Sequence, residues 1–299
     1  ARRQRQMCIR DRYGTAAPAA ADWVSTITYS AFAGSDTSSV VDTSSLAVTY
    51  NAVVGNVANY TATPAGLTAS NYTITHAAGT LAVTKAAATV TLSDLSQTYD
   101  GNPSPASASA KDSANNALGG VTIGITYDGS ITAPTNAGSY AVVATIEDTN
   151  YSGTVSGTLV VQKAAATVTL GALSQTYTGS ALAATATTNP AGLDVTFSYS
   201  ADPVNAGTYT ATGTINNTNY AGTASDTLTI DKAALTATLG SLSEKYGADK
   251  PTNSEWAATL TYSAFAGSDT SSEVDTSSLT NTYHAVDDNV ANSTATPAG

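Results

Sequence analysis

Along most of the chain, bulky and hydroxyl-bearing residues alternate with a period of two. Tyr209, Ala211, Gly213 and Ile215 alternate with Thr210, Thr212 and Thr214, and Leu193, Val195, Phe197 and Tyr199 with Asp194, Thr196 and Ser198. Such a pattern predicts half-buried β-strands with one face in a core and the other in water. Turn formers separate the alternating runs: Pro190-Ala-Gly192, Asp202-Pro203, Asn205-Ala-Gly207 and Asn216-Asn217. No stretch sustains a helical period. Lys85-Ala-Ala-Ala88 has helix propensity, but a β-branched run follows at once, so it reads as a junction and strand start.

The pattern is also repeated on a larger scale. Lys85–Tyr99 and Lys163–Tyr177 are identical at 13 of 15 positions, and a more diverged copy opens at Lys232. Trp23–Gly66 aligns without a gap onto Trp256–Gly299 at an offset of 233, with 34 of 44 residues identical and all of Tyr29–Ser39 matched by Tyr262–Ser272. Self-similarity of this kind means that one structural unit has been duplicated in series. Four modules result: 13–84, 85–162, 163–231 and 232–299. By the same offset, the first lacks the segment equivalent to Lys232–Leu242 and the last lacks anything equivalent to Leu67–Thr84. Each end module is therefore expected to lack strands.

In the middle modules, Asn136-Ala-Gly138-Ser-Tyr140 and Asn205-Ala-Gly207-Thr-Tyr209 place a turn two residues before a Tyr that begins an alternating strand. A Tyr so placed can bury its ring while its hydroxyl bonds back to the turn, as in the tyrosine corner of Ig-like sandwiches. Tyr140, Tyr209, Gly138 and Gly207 are accordingly the expected structural anchors. The expected fold class is all-β, a tandem array of small Ig-like β-sandwich modules strung like beads. A β-grasp-like module is the alternative, and it requires a helix.

Charge changes the picture at one end. All five arginines, the only Cys (Cys8) and the only Met (Met7) fall within residues 1–12. Back-translation of Arg2–Arg12 resembles a widely used transposase sequencing adapter, so 1–12 is expected to be foreign to the fold and unstructured. The remaining chain has six lysines, no arginine and 21 acidic residues, a net charge of −15. That balance is the wrong sign for a nucleic-acid partner, and no run of about 18 apolar residues could insert in a membrane. Without Cys in the body there is no disulfide framework and no thiolate metal site.

Taken in order, Lys-Ala-x-x-Thr-Val-Thr-Leu, Leu-Ser-Gln-Thr-Tyr-x-Gly, Asn-Ala-Gly-x-Tyr and Asn-Tyr-x-Gly-x-x-x-x-Thr-Leu (Asn150–Leu159, Asn219–Leu228) resemble the MBG, or mostly beta, glycine-rich, modules of large bacterial surface proteins. The outer modules resemble the Tyr-Gly-x subtype through Tyr246-Gly247, Pro251, Asn71-Tyr72-Thr-Ile and Gly79-Thr-Leu81. They depart from the middle pair in lacking Asn-Ala-Gly-x-Tyr; Val57-Ala-Asn-Tyr60 stands in its place, and the counterpart ends in Ser293. The resemblance implies a stalk or spacer segment of an extracellular, adhesin-like bacterial surface protein, with neighbouring modules as partners. It supplies no catalytic residues and no cofactor. A glycan- or protein-binding adhesive module, calcium-assisted in one form, is the alternative.

Little in the residues suggests chemistry. His76 and His284 are not equivalent, since the offset pairs His284 with Asn51, and they read as unrelated surface histidines. Asp36 and Asp42 recur as Asp269 and Asp275 in loops rich in hydroxyls, which makes them the candidates for calcium, although the dense Asp-x-Asp spacing of dedicated loops is missing. Lys85, Lys163 and Lys232 recur at module starts. They read as junction lysines whose stems cover apolar surface rather than as isopeptide donors.

Overall fold

The computed structural model describes residues 8–245, 249–283 and 295–298. The chain divides into two compact units, one ending at Lys163 and the other beginning at Ala164. The architecture is all-β, built of small sheets that recur in tandem.

The first module is a four-stranded sheet of β1 (Cys8–Arg12), β2 (Ala47–Tyr50), β3 (Ala58–Ala65) and β4 (Gly79–Thr84), in the order β1-β4-β3-β2. Residues 8–12, expected to be unstructured, are thus a correction: they run parallel to β4, with Ile9 opposite Leu81 and Asp11 opposite Val83. The physical reason is that an open sheet edge recruits a strand mainly through backbone groups. The only side-chain demand is alternation, and Ile9 meets it by packing against the core while Arg10 and Arg12 stay exposed. Tyr13 N–H continues the pairing to Thr84 O (2.9 Å).

A second correction concerns helix. Ala20–Val24 forms a single helical turn, α1, capped where the Asp22 carboxylate accepts the Ala19 N–H (2.7 Å). Its purpose is to bury Trp23, which is 0% exposed. The indole N–H donates to Tyr50 Oη (3.0 Å), and Tyr50 Oη donates to Pro18 O (3.0 Å). The core of this module is thus a tryptophan set among Tyr60, Ala62, Leu81 and Val83. Five residues are too few to show a period of 3.6, so the turn left no signature in the pattern.

In the second module the strands are β5 (Ala86–Ala87), β6 (Thr89–Ser93), β7 (Ser96–Thr98), β8 (Ser107–Lys111), β9 (Ile123–Tyr127), β10 (Gly138–Ile146), β11 (Tyr151–Ser152) and β12 (Thr154–Gln162). A four-stranded sheet, β7-β12-β10-β9, faces the antiparallel pair β6-β8 across a core of Val90, Tyr127, Val142, Ala144, Ile146, Leu159 and Val161. The chain changes sheets between β6 and β7 at Asp94, whose φ is +58°. Gln97 holds this kink: its side-chain amide donates to Asp94 O (3.0 Å) and Pro105 O (2.7 Å).

The third module repeats this frame with β13 (Ala164–Ala165), β14 (Thr167–Gly171), β15 (Ser174–Thr176), β16 (Thr185–Asn189), β17 (Val195–Tyr199), β18 (Gly207–Ile215), β19 (Tyr220–Ala221) and β20 (Thr223–Asp231). Its kink is at Ala172 (φ +53°), and Gln175 bonds Ala172 O (2.8 Å) and Ala183 O (3.0 Å). The recurrence of Leu-Ser-Gln-Thr-Tyr is therefore the recurrence of a sheet crossover and its clamp.

In the last module the pairs are β21 (Ala237–Thr238) with β22 (Thr261–Tyr262), and β23 (Thr280–Tyr283) with β24 (Ala295–Ala298). A helical turn, α2 (Asn253–Ala257), again buries its tryptophan, Trp256. Here Thr252 Oγ1 caps the turn by accepting the Glu255 N–H (3.3 Å).

Candidate functional site

The recurring side chains converge on two kinds of place: the corner that opens the long central strand of each module, and the junctions between modules within a unit. Tyr140 Oη donates to Asn136 O (2.8 Å), and Tyr209 Oη donates to Asn205 O (2.8 Å). Their rings pack beside the cores, over Gly138 and Gly207, where a side chain would meet the ring. The first module builds the same corner from Val57-Ala-Asn-Tyr60: Tyr60 Oη donates to Asn56 O (2.9 Å) and accepts from Asn56 N–H (3.1 Å). In all three, the corner tyrosine lies opposite a leucine that is 0% exposed: Tyr60 with Leu81, Tyr140 with Leu159 and Tyr209 with Leu228. Ser293, the counterpart in the last module, lies outside the described residues.

A second tyrosine in each middle module was not singled out by the sequence. Tyr127 Oη accepts the Ala106 N–H (2.8 Å), and Tyr199 Oη accepts the Ala184 N–H (3.0 Å). Its signal was only its place as the last bulky residue of an alternating run. Each hydroxyl satisfies one buried amide as the chain enters β8 or β16. We expect Tyr209→Phe to destabilise its module by about 1 kcal/mol, the net worth of one internal hydrogen bond. Denaturant unfolding would show the midpoint falling with an unchanged slope.

Asp36, Asp42, Asp269 and Asp275 each bond to partners near them in their own unit. Asp36 Oδ2 accepts from Tyr72 Oη (2.7 Å), while Asp269 Oδ2 accepts from Tyr177 Oη (2.8 Å), a tyrosine of the preceding module. Each carboxylate holds its tyrosine hydroxyl protonated and pushes its pKa above the ordinary phenol value. Asp42 and Asp275 accept the amides of Ser44 and Ser277 (2.8 Å each), and those hydrogen bonds pull both carboxyl pKa values down. Among the described residues, no three His, Cys, Asp or Glu side chains gather as a metal-binding group.

Of the other residues singled out, His76 is half-buried rather than a surface histidine, and its Nε2 is shielded from solvent without a hydrogen-bond partner. His284 and the Tyr246-Gly247 pair lie outside the described residues. Lys85 Nζ donates to Asp148 O (2.7 Å), a backbone carbonyl rather than a side-chain amide or carboxyl.

The junction in the first unit is built on Asn150. Its Oδ1 accepts the Val57 N–H (3.0 Å) and its Nδ2 donates to Asn56 Oδ1 (3.2 Å), so it grips the corner of the first module. Beside it, Tyr13 and Tyr151 meet edge to face at 5.2 Å.

With this geometry in view, the family comparison is decisive. The MBG domain model matches residues 88–165 and 166–234, and the MBG domain (YGX type) model matches residues 9–82. The chain belongs to the MBG domain family. The strand Cys8–Arg12 overlaps the start of the YGX-type match, and the kink, clamp and corner described above fall inside the matched spans. MBG repeats are typically non-catalytic structural modules, and they mark the chain as a repeat protein of the cell surface or extracellular space. Comparison with curated proteins gave no match. Among solved structures, that titled surface layer protein SbsC, domains 1-6, is similar at 12% identity and a TM-score of 0.22. The likeness covers 78% of this chain, which spans 41% of that one. No helix among the described residues is long and apolar enough to cross a membrane.

Proposed function

We propose that the MBG array is a non-catalytic spacer in a larger bacterial surface or secreted protein, its work being to extend the chain through serially folded modules. One observation carries this reading. The outward face of the β15-β20-β18-β17 sheet presents Ser174, Thr176, Thr196, Ser198, Thr208, Thr210, Thr212, Thr214, Thr223, Ser225, Thr227 and Thr229, paired strand to strand, with no aromatic among them. Hydroxyls there bond to one another, as in Thr212 with Ser225 (2.8 Å).

Sugar recognition favours an exposed aromatic platform for stacking. The tyrosines, tryptophans and phenylalanines between Tyr13 and Tyr220, together with Trp256, Tyr262 and Phe265, are instead buried or half-buried, where they contribute to packing. The body's net charge of −15 keeps such similar β-modules apart in solution. A glycan array probed with the full chain tests the reading. We expect no glycan above background; saturable binding to any of them would overturn the spacer role in favour of an adhesive one.

A further inference from the structure

The pentapeptide Phe-Ala-Gly-Ser-Asp occurs twice, at 32–36 and 265–269, and folds the same way both times. Asp36 N–H bonds to Ala33 O (3.2 Å) and Asp269 N–H to Ala266 O (3.1 Å). Gly34 and Gly267 both have φ +60°, and the rings of Tyr29–Phe32 and Tyr262–Phe265 meet tilted, with centroids 5.5 and 5.4 Å apart. What differs is the tyrosine that each loop holds. The first takes Tyr72 of its own module: Tyr72 Oη donates to Asp36, accepts the Ala33 N–H (3.0 Å), and its ring meets Phe32 edge to face. The second takes Tyr177, at the end of the Leu-Ser-Gln-Thr-Tyr run of the module before it.

The second docking involves backbone as well as hydroxyl. Two residues beyond Tyr177, a Cβ on Gly179 would lie 2.7 Å from the Cα of Gly267, and a Cβ on Gly267 would lie 2.9 Å from the Cα of Gly179. Main chain therefore touches main chain at a spot where only glycine fits on both sides. The equivalent corner of the second module, Tyr99-Asp-Gly101, supplies an internal contrast. Gly101 shares the positive φ (+87° against +79°), yet a Cβ there would meet nothing within 4 Å. The glycine is required in both modules by its φ, and only in the third does the bare surface it leaves become a contact.

We propose that Phe-Ala-Gly-Ser-Asp is a tyrosine-docking loop, and that Tyr177–Gly179 seated on residues 265–269 is a keyed junction fixing the last module on the third. The partner class this surface fits is a Tyr-x-Gly corner of a neighbouring MBG module. The raised pKa of Tyr177 agrees with a hydroxyl committed to a carboxylate. The inference stands apart from the spacer reading, since a glycan-binding array could be jointed in the same way.

Hydrogen exchange on the full chain, followed in the segment 264–270, tests it. Tyr177→Phe and Gly179→Asn should each speed exchange there about tenfold, the loss expected for one charge-assisted bond or its contact surface. Asparagine tolerates positive φ, so Gly179→Asn adds bulk at the contact with little backbone strain. Gly101→Asn carries the same strain without a docked partner and should leave 264–270 unchanged. The double variant Tyr177→Phe with Asp269→Ala should exchange no faster than Asp269→Ala alone. Unchanged exchange in both Tyr177→Phe and Gly179→Asn, or an equal response to Gly101→Asn and Gly179→Asn, would overturn the proposal.

Discussion

Leu228→Ala is expected to destabilise the third module by about 3 kcal/mol, the range seen when a fully buried leucine is cut back to alanine. Leu228 is 0% exposed and lies opposite Tyr209, packed with Ala184, Ala211 and Ile230. A module of about 70 residues has roughly 3–10 kcal/mol of stability in all, so the loss is a large share of it. The consequence should be local. Hydrogen exchange would show 207–231 opening readily while 138–161 keeps its protection, because the two modules belong to separate compact units with separate cores. Concerted loss in both would mean that the modules are not independent folding units, and the serial-module account would fail with it.

How much of this was legible in the residues depends on what each feature asks of a sequence. β18 was readable because nine residues alternate without a break, and its neighbours are antiparallel, so one face repeats the demand of the next. The corner tyrosines were readable because a turn and a ring must sit at fixed spacing. Where the demand is on the backbone, the sequence is quiet. β1 needs only an extended chain and one inward apolar side chain, and Ile9 supplies it within a segment that otherwise looks foreign. The turn that buries Trp23 is likewise too short to have a period.

The sheet crossover left a trace that is clear in hindsight. Lys85–Tyr99 and Lys163–Tyr177 differ at only two positions, Ser93/Gly171 and Asp94/Ala172, and these are the end of the strand and the kink itself. Identity there is free because the clamp is made to the carbonyl of residue 94 or 172, not to its side chain. The acidic loops gave the opposite lesson. Asp36 and Asp269 sit in identical eleven-residue surroundings, Tyr29–Ser39 and Tyr262–Ser272, yet one serves its own module and the other serves a junction. The loop residues are the same in both copies, so by themselves they do not say which tyrosine each will hold.

Gly222→Ala should be nearly as damaging as the loss of Leu228, although glycine buries nothing. A Cβ at 222 would lie 2.0 Å from the carbonyl oxygen of Ala166 and 3.0 Å from Cδ1 of Ile215. Its equivalent Gly153 would put one 2.4 Å from Ala88 O, so the glycine of Asn-Tyr-x-Gly marks where the entering chain crosses over the hairpin. The two-residue parallel pair β13-β19 ties the entering segment down through Ala164 N–H to Asn219 O and Ala166 N–H to Ala221 O (2.9 Å each). A methyl group cannot be absorbed by a flexible tip here, since the obstruction is backbone, so the strand must lift off and both bonds lengthen or break. The expected cost is about 2–3 kcal/mol, from overpacking and two lost backbone bonds. Amide exchange at Ala164 and Ala166 would report it directly. Gly120→Ala, at a position with open space and no positive φ, is the matched control and should be close to neutral. If the two substitutions proved equally benign, the crossing would not be tight, and the glycine would have to be explained by chain entropy instead of contact.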